Sequence, residues 1–154
     1  MKGFTLIELM VVMAIFALIT GFGALNLVNL QTKSSLAADV NTLVADIKEQ
    51  QIKTMVGDMG GTASQIEFGV YFESNRYTLF QGTSYSSNPS NFPIDLSDNT
   101  TLTTSFPLSQ LVFSVNSGEV LNFSAGSNQI TVQDTINGDQ KIITINRYGA
   151  ILIN

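Results

Sequence analysis

The segment from Leu9 to Thr32 restricts the possible folds of this 154-residue chain more than any other feature. It is 24 residues long, mostly apolar and without a charged side chain. As a helix rising ~1.5 Å per residue, it is about 36 Å long. That length exceeds the ~30 Å hydrocarbon core of a bilayer. The sequence therefore predicts a hydrophobic helix over residues 4–32 that crosses a membrane or packs among equally apolar helices.

From Lys33 onward apolar residues recur at helical spacing, which predicts an amphipathic helix over residues 33–56. Its apolar stripe, with Ile52 beside it, consists of Leu36, Val40, Leu43, Val44, Ile47 and Met55. The other side carries charges that we interpret as solvated, namely Asp39, Asp46, Lys48, Glu49 and Lys53. Gly57 predicts the end of the helix. A helix from Phe4 to Val56 is too long for one small domain to bury, so one half must project.

The remainder of the chain predicts a β-rich unit over residues 64–154. Alternating apolar and polar residues predict strands around 66–72, 76–81, 100–104, 111–115, 119–124, 129–133, 141–146 and 150–153. Asn137-Gly138 is a strong tight-turn pair between two of these strands. A long helix followed by such strands is typical of an α+β fold in which the helix packs on an antiparallel sheet. We therefore expect residues 33–154 to form one globular domain.

Glu8 is a single carboxylate at the start of the apolar helix. A charge near the centre of a bilayer costs about 2.5–3.5 kcal/mol, so an acid in such a segment is a candidate functional group by default. It follows Lys2 and the sequence Gly3-Phe4-Thr5-Leu6-Ile7. A secretory signal peptide would instead be cut after its apolar core, at a small-residue site.

The sequence Gly3-Phe4-Thr5-Leu6-Ile7-Glu8-Leu9 resembles the N-terminus of type IV prepilins and type II secretion pseudopilins. The resemblance implies that residues 1–3 are a leader, and that a prepilin peptidase cleaves after Gly3 and methylates the new amine of Phe4. It also implies that Glu8 of an incoming subunit meets the Phe4 amine of the preceding one. The implied partners are the peptidase, other pilin or pseudopilin subunits, the inner membrane and an inner-membrane assembly platform.

A second resemblance covers most of the chain. The strand pattern and the ending from Ile142 to Ile153 are similar to those of H-type (FimT-like) minor pseudopilins and minor pilins. Many major pilins close a C-terminal loop with a disulfide, and this chain has no cysteine. Major pseudopilins of the G type usually end in an acidic calcium-binding loop, whereas no acidic residue follows Asp139 here. Both features favour a minor subunit, and the H-type resemblance implies a position at or near the filament tip.

The composition limits the possible chemistry. The chain has neither cysteine nor histidine, so it lacks thiolates and the commonest general base and metal ligand. We expect no enzymatic activity, no cofactor and no metal. Asp134, Asn137, Gly138 and Asp139 do not match the ligand spacing of an EF-hand and are better explained by a hairpin turn. We interpret Asp95 and Asp98 as solvated loop acids.

Nucleic-acid binding is disfavoured by a net charge of −5, because such binding requires a basic face that displaces counterions. Lys141 and Arg147 are the only basic residues near the C-terminus, where some FimT-like relatives bind DNA. Several aromatic residues are interpreted as sheet core and loop anchors, namely Tyr71, Tyr77, Tyr85, Tyr148, Phe72, Phe80 and Phe92.

Two other functions remain open at this stage. The chain could be a DNA-binding or adhesin module displayed on a pilus, or an ordinary signal-anchored envelope protein that keeps residues 1–3. The loop over residues 82–110 contains all three prolines of the chain. Loops of this length are usually functional or mobile, and we predict that this one forms a contact surface.

Overall fold

The computed structural model describes residues 5–61 and 63–154, and for residues 21–34 it describes the backbone alone. Gly3, Phe4 and the side chains over 21–32 of the predicted hydrophobic segment lie outside this description. The N-terminal element is helix α1, Leu6–Met55, which is 50 residues long. This agrees closely with the helix predicted from Phe4 to Val56.

The two ends of α1 are capped as the sequence allows. Thr5 is the N-cap and has an extended backbone. At the other end, Gly57 has a φ of +70°, its N–H donates to Thr54 O at 3.2 Å, and Asp58 N–H donates to Lys53 O at 2.9 Å. These are the two hydrogen bonds of a Schellman motif, and glycine adopts the left-handed conformation they require at little cost. The prediction that Gly57 ends the helix is therefore confirmed.

In the part of the chain that the structure describes, eight strands form two antiparallel sheets of four. Sheet A has the order β3-β2-β1-β5 and consists of β1 (Phe68–Phe72), β2 (Arg76–Gln81), β3 (Phe92–Asp95) and β5 (Gln110–Phe113). Sheet B has the order β4-β6-β7-β8 and consists of β4 (Thr100–Thr104), β6 (Gln129–Asp134), β7 (Gln140–Ile145) and β8 (Ile151–Ile153). The predicted α+β class, with a long helix on antiparallel strands, is confirmed.

The prediction of a strand over residues 119–124 is wrong. Only Val120 forms an isolated bridge there, with Phe113 of β5. The side chain of Asn122 occupies the position where strand pairing would continue, because its Oδ1 accepts from Val112 N–H and its Nδ2 donates to Gln110 O at 2.6 Å. A side-chain amide thus replaces a backbone ladder along β5.

The sequence also failed to predict β3, which lies inside the long loop over residues 82–110. This strand contains Pro93 opposite Thr78 of β2. Proline cannot donate to a ladder, but β3 is the edge strand of sheet A, where proline is tolerated. The sequence of this proline-containing segment therefore predicts a loop, although the segment adds a strand to sheet A.

The core lies between the C-terminal half of α1 and both sheets. The helix contributes Leu36, Val40, Leu43 and Ile47, all buried as predicted. They pack with residues of both sheets and the intervening loops, including Val70, Tyr77, Leu102, Leu111, Phe113, Ile130, Val132, Ile143 and Ile145. The two sheets therefore form one hydrophobic core together with the helix.

The predicted stripe is wrong at its C-terminal end, since Met55 and Ile52 are half-exposed or more. Gln50, Gln51 and Thr54 take their place and are buried. Thr54 continues the 3.6-residue period that begins at Leu36, and its hydroxyl donates to Gln50 O at 2.7 Å. The buried face of the helix thus changes from apolar to polar over its last two turns.

The interpretation of the charged helix face as solvated is correct only in part. Glu49 and Lys53 form a partly exposed pair at 2.6 Å. Asp39, however, accepts from both the N–H and the hydroxyl of Ser97, and Asp46 accepts from the Tyr77 hydroxyl. These acids fix the helix to a loop and to sheet A, so they have structural partners that the spacing alone does not reveal.

Candidate assembly site

Glu8 lies in the first turn of α1 and forms a capping box with Thr5. The Glu8 N–H donates to the Thr5 hydroxyl oxygen at 3.3 Å. In return, the backbone N–H and the hydroxyl of Thr5 both donate to Glu8 Oε2 at 2.8 Å. Glu8 is thus the N3 partner of an S/T-x-x-E cap, which satisfies two donors at the helix start.

The capping role is a property of Glu8 that the sequence reasoning missed. The signal was present, because Thr5-Leu6-Ile7-Glu8 has the spacing of a capping box ahead of an apolar run. In an apolar environment each unsatisfied backbone donor costs several kcal/mol, so the cap matters more there than in water. Both Thr5 donors use Oε2, and no residue among those described donates to Oε1. The carboxylate can therefore cap its own helix and still accept from another group.

The helix behind Glu8 presents an apolar surface on all sides. Each of its large apolar side chains in the first four turns is more than half exposed, namely Leu6, Ile7, Leu9, Met10, Val11, Val12, Met13, Ile15, Phe16, Leu18 and Ile19. A soluble protein does not leave so large an apolar surface in water, and surfaces of this kind mark membrane or protein contacts. Within the part of the chain that the structure describes, no helix has the length and apolarity needed to cross a bilayer.

The predicted turn at Asn137-Gly138 is confirmed, and it uses the acid that resembled a calcium ligand. Asp134 Oδ1 accepts from Ile136 N–H at 2.8 Å, and its Oδ2 accepts from Asn137 Nδ2 at 3.2 Å. Gly138, with a φ of +74°, donates to Asp134 O at 2.9 Å. Both carboxylate oxygens of Asp134 thus hold the β6–β7 turn. Among the described residues, no three acidic side chains group as a metal site requires.

The aromatic side chains divide into three groups. Tyr77, Phe72 and Phe80 are buried, as predicted for sheet core. Tyr85 stacks on Tyr71 with ring centroids 4.0 Å apart, so it anchors the loop to sheet A, also as predicted. Phe92 and Tyr148 are 64% and 70% exposed, so the prediction of core or anchor roles is wrong for these two residues.

Both arginines of the chain have acidic neighbours. Arg76 Nε lies 3.7 Å from Glu73 and 3.8 Å from Asp95, and Arg147 Nε lies 3.6 Å from Glu119. An arginine beside a carboxylate attracts phosphate less strongly than an unpaired one. The structure therefore gives no support to a phosphate-binding surface built on these two side chains.

Comparisons with known proteins found a match to the N-terminal motif and a match to the fold. Residues 1–24 match the family model described as the prokaryotic N-terminal methylation motif. The fold is similar to the structure of the minor pseudopilin EpsH from the type 2 secretion system of Vibrio cholerae, with a TM-score of 0.55 and 14% sequence identity. The alignment covers 78% of this chain and 96% of EpsH. The chain carries a prepilin-type motif on a pilin-like fold. No curated protein sequence matches the chain.

These matches agree with the two resemblances seen in the sequence. The methylation motif contains Gly3, Phe4 and Glu8, and the matched fold is that of an H-type minor pseudopilin, as the C-terminal strand pattern predicted. In this pilin-like chain one helix connects the motif to the domain. Helix α1 contains Glu8 in its first turn and contributes Leu36, Val40, Leu43 and Ile47 to the domain core.

Proposed function

We propose that this chain is a non-catalytic minor pilin or pseudopilin subunit that assembles into a helical filament through α1. The observation that supports the proposal best is the contrast between the two halves of α1. The first four turns expose every large apolar side chain, whereas Leu36, Val40, Leu43 and Ile47 are buried in the domain. The first half therefore has an apolar surface to cover, and the second half holds the folded domain.

The proposed life of the subunit has two stages. Residues 4–32 hold the precursor in the inner membrane as a single span, with the C-terminal domain outside the cytoplasm. Prepilin peptidase removes residues 1–3, and the apolar helix then moves from lipid into the filament core. Neighbouring helices replace lipid around the same side chains, so the helix keeps an apolar environment throughout.

Glu8 sets the position of the subunit in the filament. Cleavage creates a cationic amine on Phe4, and Glu8 Oε1 is directed to no donor among the described residues. Two opposite charges 4 Å apart attract with about 4 kcal/mol at an effective dielectric constant of 20. A buried pair of this kind stabilises one register above others, as single polar residues do in coiled coils.

A minor role at the tip is the more specific part of the proposal. It is supported by the fold similarity to an H-type minor pseudopilin and by the absence of cysteine. The segment over residues 82–110 is the proposed contact surface, although β3 and β4 and the Tyr85 anchor give it more order than a mobile loop. The machine that the filament serves is a type IV pilus or a type II secretion system.

Mass spectrometry of the mature chain tests the first step. When the full-length chain is co-expressed with a prepilin peptidase, we expect a mass that begins at N-methylated Phe4. Gly3→Val should keep residues 1–3, whereas Thr5→Val should be processed like the wild type. An unprocessed wild-type chain in the presence of active peptidase would contradict the proposal and support an ordinary signal-anchored envelope protein.

A further inference from the structure

A cleft of about 370 Å³ separates the last turns of α1 from the outer half of sheet A. Asp46, Gln50 and Lys53 line it from the helix, and Phe92 and Ile94 of β3 line it from the sheet edge. Helix α1 packs on β1, β4, β5 and β6, whereas β3 lies at the edge of sheet A and lines the cleft opposite the helix. The cleft therefore has an apolar wall opposite a charged one.

Gln50 is the first sign that the cleft accepts a ligand. The residue is only 2% exposed, and its Nε2 has no hydrogen-bond partner among the described residues. A buried donor without an acceptor costs about 1–3 kcal/mol, so native structures seldom keep one without reason. An incoming acceptor in the cleft would satisfy it.

The charges of the cleft indicate the chemistry of its occupant. Asp46 and Glu49 are acidic, and Lys53 is paired with Glu49, which leaves the wall acidic by one charge. Phe92 stands at the rim and is 64% exposed. The cleft therefore suits a ligand that carries a positive charge, an aromatic ring and a hydrogen-bond acceptor.

The chain presents this combination on the turn between β7 and β8. Tyr148 is 70% exposed, and the side chain of Arg147 beside it is 66% exposed, with its Nε 3.6 Å from Glu119. A salt bridge between solvent-exposed side chains contributes only about 0–1 kcal/mol, so Arg147 can exchange Glu119 for another carboxylate. Tyrosine and arginine are enriched among the residues that dominate protein–protein binding energies.

This turn is held rigidly. Asn146 Oδ1 accepts from Tyr148 N–H and Ala150 N–H, both at 2.9 Å. From the helix, Lys48 Nζ donates to Gly149 O at 2.8 Å, and Gln51 Nε2 donates to Tyr148 O at 3.0 Å. A preformed turn loses little conformational entropy on binding.

The cleft and the turn lie on opposite sides of the helix. Successive residues are about 100° apart around a helix, so Lys48, which holds the turn, is about 200° from Asp46, which lines the cleft. The two surfaces therefore cannot meet within one copy. When two copies join through different surfaces, the contact is heterologous and leaves one cleft and one turn available for further copies.

We propose that the Arg147–Tyr148 turn of one copy docks into this cleft of a second copy. The Tyr148 ring covers Phe92 and Ile94, its hydroxyl accepts from Gln50 Nε2, and Arg147 faces Asp46 and Glu49. The proposed assembly through α1 does not require this contact, which adds a lateral link between the domains of two neighbouring copies.

Disulfide trapping between two variants of the full-length chain in detergent tests the contact. The chain has no cysteine, so Ser90→Cys at the cleft and Ala150→Cys beside the turn each introduce a single thiol. After oxidation, we expect the mixture of the two variants to form a disulfide dimer at least about tenfold more readily than either variant alone. Tyr148→Ala on the Ala150→Cys copy should weaken this trapping by at least about tenfold, as for a hot-spot residue.

Two further variants separate binding from folding. Gln50→Met on the Ser90→Cys copy removes the unpartnered amide, so it should reduce trapping without lowering the unfolding temperature. Glu49→Gln on one copy and Arg147→Gln on the other should each reduce trapping, and the two together should reduce it by less than the product of the separate effects.

Equal trapping in the mixture and in the single variants would overturn the proposal. So would a cross-link from Ser90→Cys to a different protein in place of a second copy. Neither result would affect the assembly function, which is measured independently by leader removal and by the presence of the chain in sheared filaments.

Discussion

Gln50 and Gln51 are neighbours on α1 and are both buried, but only one of their side-chain amide nitrogens has a hydrogen-bond partner among the described residues. Gln51 Nε2 donates to Gly118 O at 2.9 Å and to Tyr148 O at 3.0 Å, and its Oε1 accepts from Lys48 Nζ at 3.1 Å. Gln50 Nε2 has no such partner among the described residues. At the scale of single residues, one glutamine therefore stabilises the domain, and the other lines a cleft that an acceptor could enter.

Replacing Gln51 by alanine should destabilise the domain by about 2 kcal/mol, because two backbone carbonyls lose a donor and a buried side chain is removed. Thermal unfolding of the full-length chain in detergent measures this change. Gln133→Ala is the matched control, since Gln133 is an exposed residue of β6 and should change stability by less than about 0.5 kcal/mol. Equal effects of the two variants would contradict the role assigned to Gln51.

Tyr77 should make the stability of the domain sensitive to alkaline pH. Burial, together with its hydrogen bond to the Asp46 carboxylate, raises the pKa of the Tyr77 hydroxyl well above its usual value. The unfolded chain releases this proton near pH 10, whereas the folded chain retains it. The contribution of Tyr77 is thus complete below about pH 10 and is lost as the pH rises further.

Tyr77→Phe removes this titration and serves as the comparison. The variant should be less stable than the wild type at neutral pH by about 1 kcal/mol, since Asp46 loses a donor. The difference between the two proteins should shrink above pH 10. A constant difference between pH 8 and pH 11 would show that Tyr77 is not protected in the folded state.

At the scale of elements, α1 combines two environments in one helix. The sequence predicted the continuous helix and most of its buried stripe, because a charge-free stretch and a 3.6-residue period are strong local signals. It failed over the last two turns, where Gln50, Gln51 and Thr54 are buried in place of Ile52 and Met55. Local polarity cannot predict this exchange, since the Gln51 amide bonds to the carbonyl oxygens of Gly118 and Tyr148, which only the fold brings close.

The buried and exposed sides of α1 predict different costs of truncation. Leu43 is fully buried, so Leu43→Ala should destabilise the domain by about 2–5 kcal/mol through lost burial and a cavity. Ile52 is 57% exposed, and Ile52→Ala should cost less than about 1 kcal/mol. Thermal unfolding of the two variants checks this contrast. A reversed order would mean that the C-terminal half of the helix packs on the sheets through its other face.

The strands show the same limit of local reasoning. Seven of the predicted strand regions correspond to β1, β2, β4, β5, β6, β7 and β8. The segment over residues 119–124 has the alternation of a strand, but Asn122 competes for the backbone of β5. β3 contains a proline and is stable only as the edge partner of β2. Both errors come from partners distant in sequence.

At the scale of the whole molecule, a domain with its own core carries a helix whose first four turns lie outside that core. The site at the helix start could be predicted only in part. The Gly3-Phe4…Glu8 pattern predicted processing and assembly from residue identities, whereas the capping box between Thr5 and Glu8 was found in the structure. Glu8 therefore has two candidate roles, helix capping and charge pairing with the Phe4 amine of another subunit.

Incorporation of Glu8 and Thr5 variants into sheared filaments separates these two roles most directly. Glu8→Gln keeps a side chain that can complete the capping box but removes the charge, Glu8→Leu removes both, and Thr5→Val removes the capping hydroxyl but keeps the charge. With leader removal confirmed by mass for each variant, we expect Glu8→Gln and Glu8→Leu to be lost from filaments and Thr5→Val to be retained. Normal incorporation of processed Glu8→Gln or Glu8→Leu would contradict the account.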